Sequence, residues 1–453
     1  MLWARRVLDR VLLGMTPTVL GLVLLCGIVG GAVGATYLLA LHILQNWLWP
    51  TEWSSRLVGF AILGGVGLAV GLLTRLLGSP GDVELLVDNI HVSGGARDTR
   101  TLRSLVPVSL LCISSGGGAG PEAPLVQTTG TLGSWIARRG RLQIPDMRIL
   151  TIAGMAAGFT VLFGAPMGSA VFSLEILHRR GLQYYEALVP ALIGSLSGYA
   201  IYVVLTTAGL QPVWHIDAPG ALHATDLGWA VLCGIAAAII AVIFTYLNLW
   251  LRRGFRLVPT FVRPMVGGLA LAGLGLWSSY ALTFGEAQTA HVLTARNIAV
   301  GVLAVGVVAK LLGTSVTLSS GWRGGFIIPL FFMGASLGRL AHTELLPHVS
   351  AAVLCAALMA SINVGVTKTP VGSTLVVAEM AGMRLLPTTL LASLVTLMLT
   401  SEVGLIETQR ERSGELASDE TPFVDAGGDG DAGGNGDGAM SPGTAEFELF
   451  PPR

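Results

Sequence analysis

Ser114-Ser115-Gly116-Gly117-Gly118-Ala119-Gly120-Pro121-Glu122-Ala123-Pro124 decides how this chain is read. One carboxylate, Glu122, stands among glycines, small residues and prolines, with apolar sequence on both sides. A carboxylate flanked by apolar segments of membrane length is expensive unless it faces water, a partner or an ion. The glycines and prolines end one helix, and a new helix starts at Glu122 or just after it.

The surroundings are those of a membrane. The chain has 453 residues, 52% hydrophobic and 12% charged, with a mean hydropathy of +0.70. Soluble domains carry about 25% charged residues. Apolar runs predict helices near 16–48, 57–77, 123–137, 147–163, 167–178, 184–206, 225–251, 263–283 and 298–317, with shorter pieces near 104–115, 325–341, 350–363, 370–381 and 385–402. Residues 82–92 are too short and too charged to cross a bilayer. Several pieces fall below the ~20 residues that a perpendicular span needs, and such broken helices survive only inside protein or along a cavity. The expected class is an all-α, polytopic cell-membrane protein.

Other features narrow the function. Zero net charge gives no electrostatic footprint for a nucleic-acid partner. Cys26, Cys112, Cys233 and Cys355 are scattered in apolar segments without metal-ligand spacing, and no nucleophile–base pair is visible, so neither a metal site nor an enzyme is expected, and no cofactor. Arg5, Arg6 and Arg10 precede a first helix read as retained and favour a cytoplasmic N-terminus. From 409 to 453 the chain turns acidic and Gly/Asp-rich, and is expected to be a disordered tail.

The stretch around Glu122 has a counterpart 205 residues later. Ser114-Ser115-Gly116 matches Ser319-Ser320-Gly321, Pro124 matches Pro329, and Leu132-Gly133 matches Leu337-Gly338. At an offset of 204, Met155-Ala156 matches Met359-Ala360, Pro166 matches Pro370, Gly168-Ser169 matches Gly372-Ser373, and Glu175 matches Glu379. The membrane domain, 1–408, thus divides into related halves, about 10–205 and 225–408. Interrupted helices at matching positions of two halves point to an ion site between them.

A helix that begins inside the membrane leaves free N–H groups and the positive end of its dipole there, which attracts an anion. Candidate starts are Gly78-Ser79-Pro80, Gly120-Pro121-Glu122, Gly324-Gly325-Phe326-Ile327, Pro166 and Pro370. The inferred cargo is a small anion. Glu122 would compete with it for the same N–H groups and leave on protonation or displacement, which makes it a gate.

These residues closely resemble the CLC family of voltage-gated-type chloride channels and chloride/proton antiporters, in its prokaryotic form without CBS domains. Gly120-Pro121-Glu122-Ala123-Pro124 is similar to the family's G-x-E-x-P gate, Gly324 through Pro329 to its GxFxP segment, and Gly78 through Asp82 to an altered GSGIP segment. Ala165-Pro166 through Glu175 resembles the segment at its dimer interface. The resemblance implies an inverted repeat of about 18 membrane helices, a homodimer with one anion path per subunit, and a prokaryotic inner-membrane location. It implies Glu122 as the external gate, Ser79 as an anion contact, and the backbone N–H groups of Phe326 and Ile327, next to Gly325, as the rest of the cradle.

Two positions depart from the family pattern. Ile176 stands where its antiporters carry an internal proton-accepting glutamate, and Ile406 falls near its inner-gate tyrosine; no tyrosine follows Tyr280. The expectation is transport of chloride or a similar anion through a Glu122-gated, channel-like or weakly proton-coupled path. The alternatives are a proton-coupled chloride or fluoride antiporter with another internal carrier, Glu175 or His178, and a non-transporting scaffold or sensor. Lys310, Arg323 and Lys368, charges near breaks in the second half, are either anion lures or interfacial residues.

Overall fold

Strands are absent from the described residues of this computed structural model, which are 15–48, 56–179, 181–207, 213–214, 216, 222–295, 298–406 and 408–409. Sixteen α-helices account for most of them. The first half contains α1 (Pro17–Leu48), α2 (Arg56–Leu77), α3 (Val83–Ser93), α4 (Arg100–Ser114), α5 (Glu122–Arg139), α6 (Ile144–Phe163), α7 (Pro166–Glu175) and α8 (Leu188–Thr206). The second contains α9 (Ala224–Phe255), α10 (Arg263–Trp277), α11 (Glu286–Thr294), α12 (Val300–Ser319), α13 (Ile327–Leu340), α14 (Ala351–Thr367), α15 (Pro370–Ala381) and α16 (Leu386–Leu399). The described residues form one unit. The N-terminal arginines and the acidic tail from 410 onward lie outside the described residues.

Six of the described helices are long and apolar enough to cross a membrane. Sequence reading missed α11, whose Glu286, Gln288 and His291 interrupt any apolar run; it packs instead on α13 through buried Thr289 and Val292. Exposed apolar side chains such as Leu39, Ile43, Trp47, Leu76, Val204 and Trp250 cover the outer helices, as a lipid-facing surface requires.

The packing of one half recurs in the other. α5 lies on α6 as α13 lies on α14; α6 and α1 both contact α8 as α14 and α9 both contact α16; α2 meets α4 as α10 meets α12. Helices α6 and α14 are buried nearly all round, which is why both sequences are apolar without a polar face. The halves touch through corresponding elements, α2 with α10 and α7 with α15. Like meeting like is the signature of a two-fold relation.

Small residues allow these contacts. A Cβ on Gly168 would collide with the backbone of Val376, and one on Gly372 with the backbone of Phe172. Each of this helix pair also donates to the other's carboxylate. Glu175 accepts from Val371 N–H and Gly372 N–H at 3.2 and 2.6 Å, and Glu379 accepts from Met167 N–H and Gly168 N–H at 3.1 and 3.0 Å. The helix starts at Pro166 and Pro370, read from sequence as candidate anion sites, are therefore filled by protein carboxylates.

The ends of α6 and α14 match as well. Gly164 ends α6 at φ 62° and Lys368 ends α14 at φ 62°. A side chain in that left-handed region costs roughly 1–2 kcal/mol. The Lys368 ammonium offsets it by donating to Gly365 O at 2.6 Å and to the carbonyl and hydroxyl of Thr400 at 2.7 and 2.9 Å.

Candidate functional site

Helices α4 and α12 stop at Ser115 and Ser320, and the chain turns at Gly116 and Gly321, with φ of 98° and 91°. Four residues beyond each turn, at Gly120 and Gly325, the two segments meet. There Gly120 N–H donates to Gly325 O at 2.7 Å and Gly325 N–H to Gly120 O at 2.6 Å, an isolated antiparallel bridge. Gly118 is pinned by Thr317 Oγ1 at 3.0 Å and by the Thr314 hydroxyl at 2.7 Å. Two residues past the bridge on each side, α5 starts at Glu122 and α13 at Ile327.

Glu122 is fully buried. Its Oε1 accepts from the N–H of Ile328 in the first turn of α13, so a carboxylate occupies the positive end of that helix. Oε2 is buried with no hydrogen-bond partner. A Cβ on Gly120 or Gly325 would overlap Oε2, so both bridge positions must be glycine for the carboxyl to lie where it does.

A cavity of about 110 Å³ adjoins this carboxyl. Its walls are the start of α5 with Gln127, the start of α13 with Gly325, Phe326 and Ile327, Met155 and Phe159 of α6, and the start of α3. Ile176, Leu405 and Ile406 make one side apolar. Gln409, three residues after Ile406, donates from Nε2 to Ile176 O at 3.0 Å and to Thr367 O at 2.8 Å. Asp82, Glu84, Arg252 and Arg323 form the charged part of the lining.

The sequence-derived residues are thus distributed unequally. Glu122, Pro124, Gly325, Phe326 and Ile327 line one cavity, with Gly120 bridged to Gly325 behind the carboxyl; Pro329 lies one residue past Ile328, buried in the first turn of α13. Gly78 and Ser79 are exposed and lie off it. The segment reaches the cavity through Gly81, Asp82 and Val83, because α3 starts only at Val83, with Asp82 accepting from Leu85 N–H at 3.0 Å as its cap. Lys310 is buried elsewhere and donates to Leu282 O and Thr283 O at 3.0 and 2.8 Å; Lys368 is likewise off the cavity. Glu175 is spent on α15.

Arg252 and Gln127 were not singled out from sequence. Arg252 closes a long apolar helix and looks interfacial until its contact with Glu84, at 3.4 Å, is seen. Gln127 sits five residues after Glu122 on the buried face of α5, a polar side chain where a core helix would carry none.

Residues 66–401 match the family described as voltage gated chloride channel. The chain is 26% identical over 409 residues to a chloride/fluoride channel protein of Pseudomonas syringae pv. tomato, covering 85% of each chain. It is 26% identical over 320 residues to a voltage-gated ClC-type chloride channel ClcB of Citrobacter koseri, covering 68% of this chain and 74% of that one. A solved CLC-type fluoride/proton antiporter superposes with a TM-score of 0.77 at 24% identity, over 87% of this chain and 98% of that one. A slow cyanobacterial Cl−/H+ antiporter superposes with 0.75 at 20% identity, over 86% and 96%. Both structural likenesses establish the fold. With a helical membrane fold, a paired-glycine break and a buried carboxyl at a helix start already in place, the family match completes the identification: this chain is a multi-pass membrane protein of the CLC family, whose members conduct or exchange anions.

Proposed function

We propose that the protein passes chloride or a similar small monovalent anion through the cavity beside Glu122, with the Glu122 carboxyl as its gate. The observation that carries this is the carboxyl's position: it takes an α13 amide that an anion would take, and its second oxygen has no partner. A proton on that oxygen weakens the bond to Ile328 and releases that amide, which with the N–H groups of Phe326 and Ile327 then holds the anion beside Gly325. Ser79 lies off the cavity, and the start of α3 stands in its place beside the anion path.

We read the path as channel-like or weakly proton-coupled. Ile176 and Ile406 support this, since both line the cavity and neither carries a proton. Paired chloride and proton flux from proteoliposomes, at two pH values, tests it. The expected result is downhill chloride flux without uphill proton movement at fixed stoichiometry; sustained uphill proton movement overturns it in favour of an antiporter.

The antiporter is the second reading, and a ring cluster behind Ile176 favours it. His178 is buried with its ring 4.7 Å from Tyr184 and 5.3 Å from His91, and His91 Nδ1 lies 2.9 Å from the Tyr184 hydroxyl. These groups can carry a proton; Glu175, held by two α15 amides, is the poorer carrier. Fluoride competition against chloride flux separates the two anions. The proposed location is a prokaryotic inner membrane, and a homodimer would form on the α7–α15 face, where Met167 and Val371 are exposed.

A further inference from the structure

We propose that Arg323, seconded by Arg252, forms an additional anion-binding station in the charged part of the cavity, ahead of the Glu122 site. Its role in transport rests on the function proposed above; its existence as a binding site does not.

Every acidic side chain in the cavity lining has a partner. Asp82 caps α3 through Leu85 N–H, Glu84 pairs with Arg252 at 3.4 Å, and Glu122 accepts from Ile328. Arg323 is the exception among the charged residues. Its guanidinium makes no hydrogen bond or ion pair of ordinary length with any described residue, and its Nε is buried without a partner. Asp82 and Glu84 act on it only at longer range. Buried donors in native proteins are nearly always satisfied, and a guanidinium offers five in a planar fork. An orphan of this kind on a cavity wall calls for an acceptor that comes from outside the chain.

Its backbone is held rigidly for such a purpose. Arg323 N–H points to Cys112 Sγ at 3.4 Å, and the preceding Trp322 is buried, with Nε1 donating to Pro264 O at 2.7 Å. Arg323 is also two residues before Gly325, whose Cα faces the Glu122 carboxyl. Arg323, Phe326 and Ile327 line the same cavity, so an anion at Arg323 shares one water-accessible space with the α13 amides. A waiting anion there raises the local concentration for the next site and repels the anion ahead of it.

The side of the membrane follows from nearby charge. Arg252, Arg253, Arg256 and Arg263 cluster in and beside the α9–α10 connection, and Arg75 at the end of α2 lies 6.0 Å from the Phe261 ring in that connection. An excess of arginine in a short loop marks the cytoplasmic face. Arg252 itself lines the cavity, so the station serves anions arriving from the cytoplasm.

Crystals of the full chain grown in bromide provide the direct test. An anomalous peak within hydrogen-bond distance of the Arg323 guanidinium, lost in Arg323→Gln while any peak at the α13 amides persists, supports the station. A peak at α13 with none at Arg323 overturns it and leaves the transport proposal standing. A peak at Arg323 in a protein that shows no anion flux supports the station and sinks the transport proposal.

Flux gives a second readout. Arg323→Gln is expected to raise the half-saturating cytoplasmic-side chloride concentration about tenfold, and the opposite-side value much less. Arg323→Lys keeps the charge without the fork and falls between the two. Unchanged half-saturation in Arg323→Gln, or equal losses on both sides together with lower maximal flux, overturns the proposal.

Discussion

Gly120 and Gly325 hydrogen-bond to each other in both directions, at 2.7 and 2.6 Å, although 205 residues separate them. They are each other's counterparts in the two halves. Their bridge brings the amino ends of α5 and α13 together, so that a side chain at the start of one helix reaches the amides of the other.

That contact makes Glu122→Gln the sharpest test of the gate. Glutamine resembles the protonated carboxyl and cannot change its charge. Flux through the parent protein is expected to rise as pH falls, because a protonated carboxyl releases the α13 amide more readily. The Gln variant is expected to conduct with a flat pH profile; if its profile follows the parent's, Glu122 is not the gate.

Adding one methyl to the bridge perturbs the same carboxyl from below. In Gly325→Ala the new Cβ overlaps Glu122 Oε2 and crowds the backbone nitrogen of Ala123, which forces the side chain off its seat. Overpacking of this kind costs about 1–3 kcal/mol. A lower melting temperature together with altered pH dependence is expected in detergent and liposome assays. A silent substitution would show that the carboxyl does not rest there.

The carboxylates of Glu175 and Glu379 are assigned to packing. Each accepts two amides from the other's helix, and charge-assisted bonds contribute about 1.5–3 kcal/mol. Glu175→Gln and Glu379→Gln should each lower thermal stability, with chloride flux per folded protein preserved. Loss of proton movement in Glu175→Gln, without loss of stability, would instead make Glu175 a proton carrier.

Ile406 and Leu405 present apolar bulk to the cavity, and three residues after Ile406 the Gln409 side chain ties the chain to Ile176 and Thr367. An apolar constriction resists wetting. Ile406→Ala is therefore expected to speed chloride flux several-fold, and Gln409→Leu to do so more weakly by loosening that tie. Equal or slower flux in Ile406→Ala would place the limiting barrier elsewhere.

Much of this was legible in the amino-acid order. Apolar runs set the class and most helices, since a membrane demands internally bonded backbone. Glycine, proline, serine and glutamate recurring at 204 and 205 residues carried the reading as two related halves, and an acidic residue stranded at a helix start carried the reading of Glu122 as the proposed gate. α11 stayed hidden because its burial depends on one face of a short polar helix.

The remainder belonged to tertiary structure. Glu122 and Glu175 are both acids stranded in apolar sequence, one opening a helix and the other closing one, and the sequence does not say which is already paired. One faces a cavity, whereas the other is consumed by the matching helix of the opposite half. Ser79, Lys310 and Lys368 read as anion contacts or lures, yet the capping of α3 by Asp82 and the carbonyls around each ammonium draw all three away. Which polar groups stay available to an ion depends on which are already paired, and that pairing joins residues some 200 positions apart.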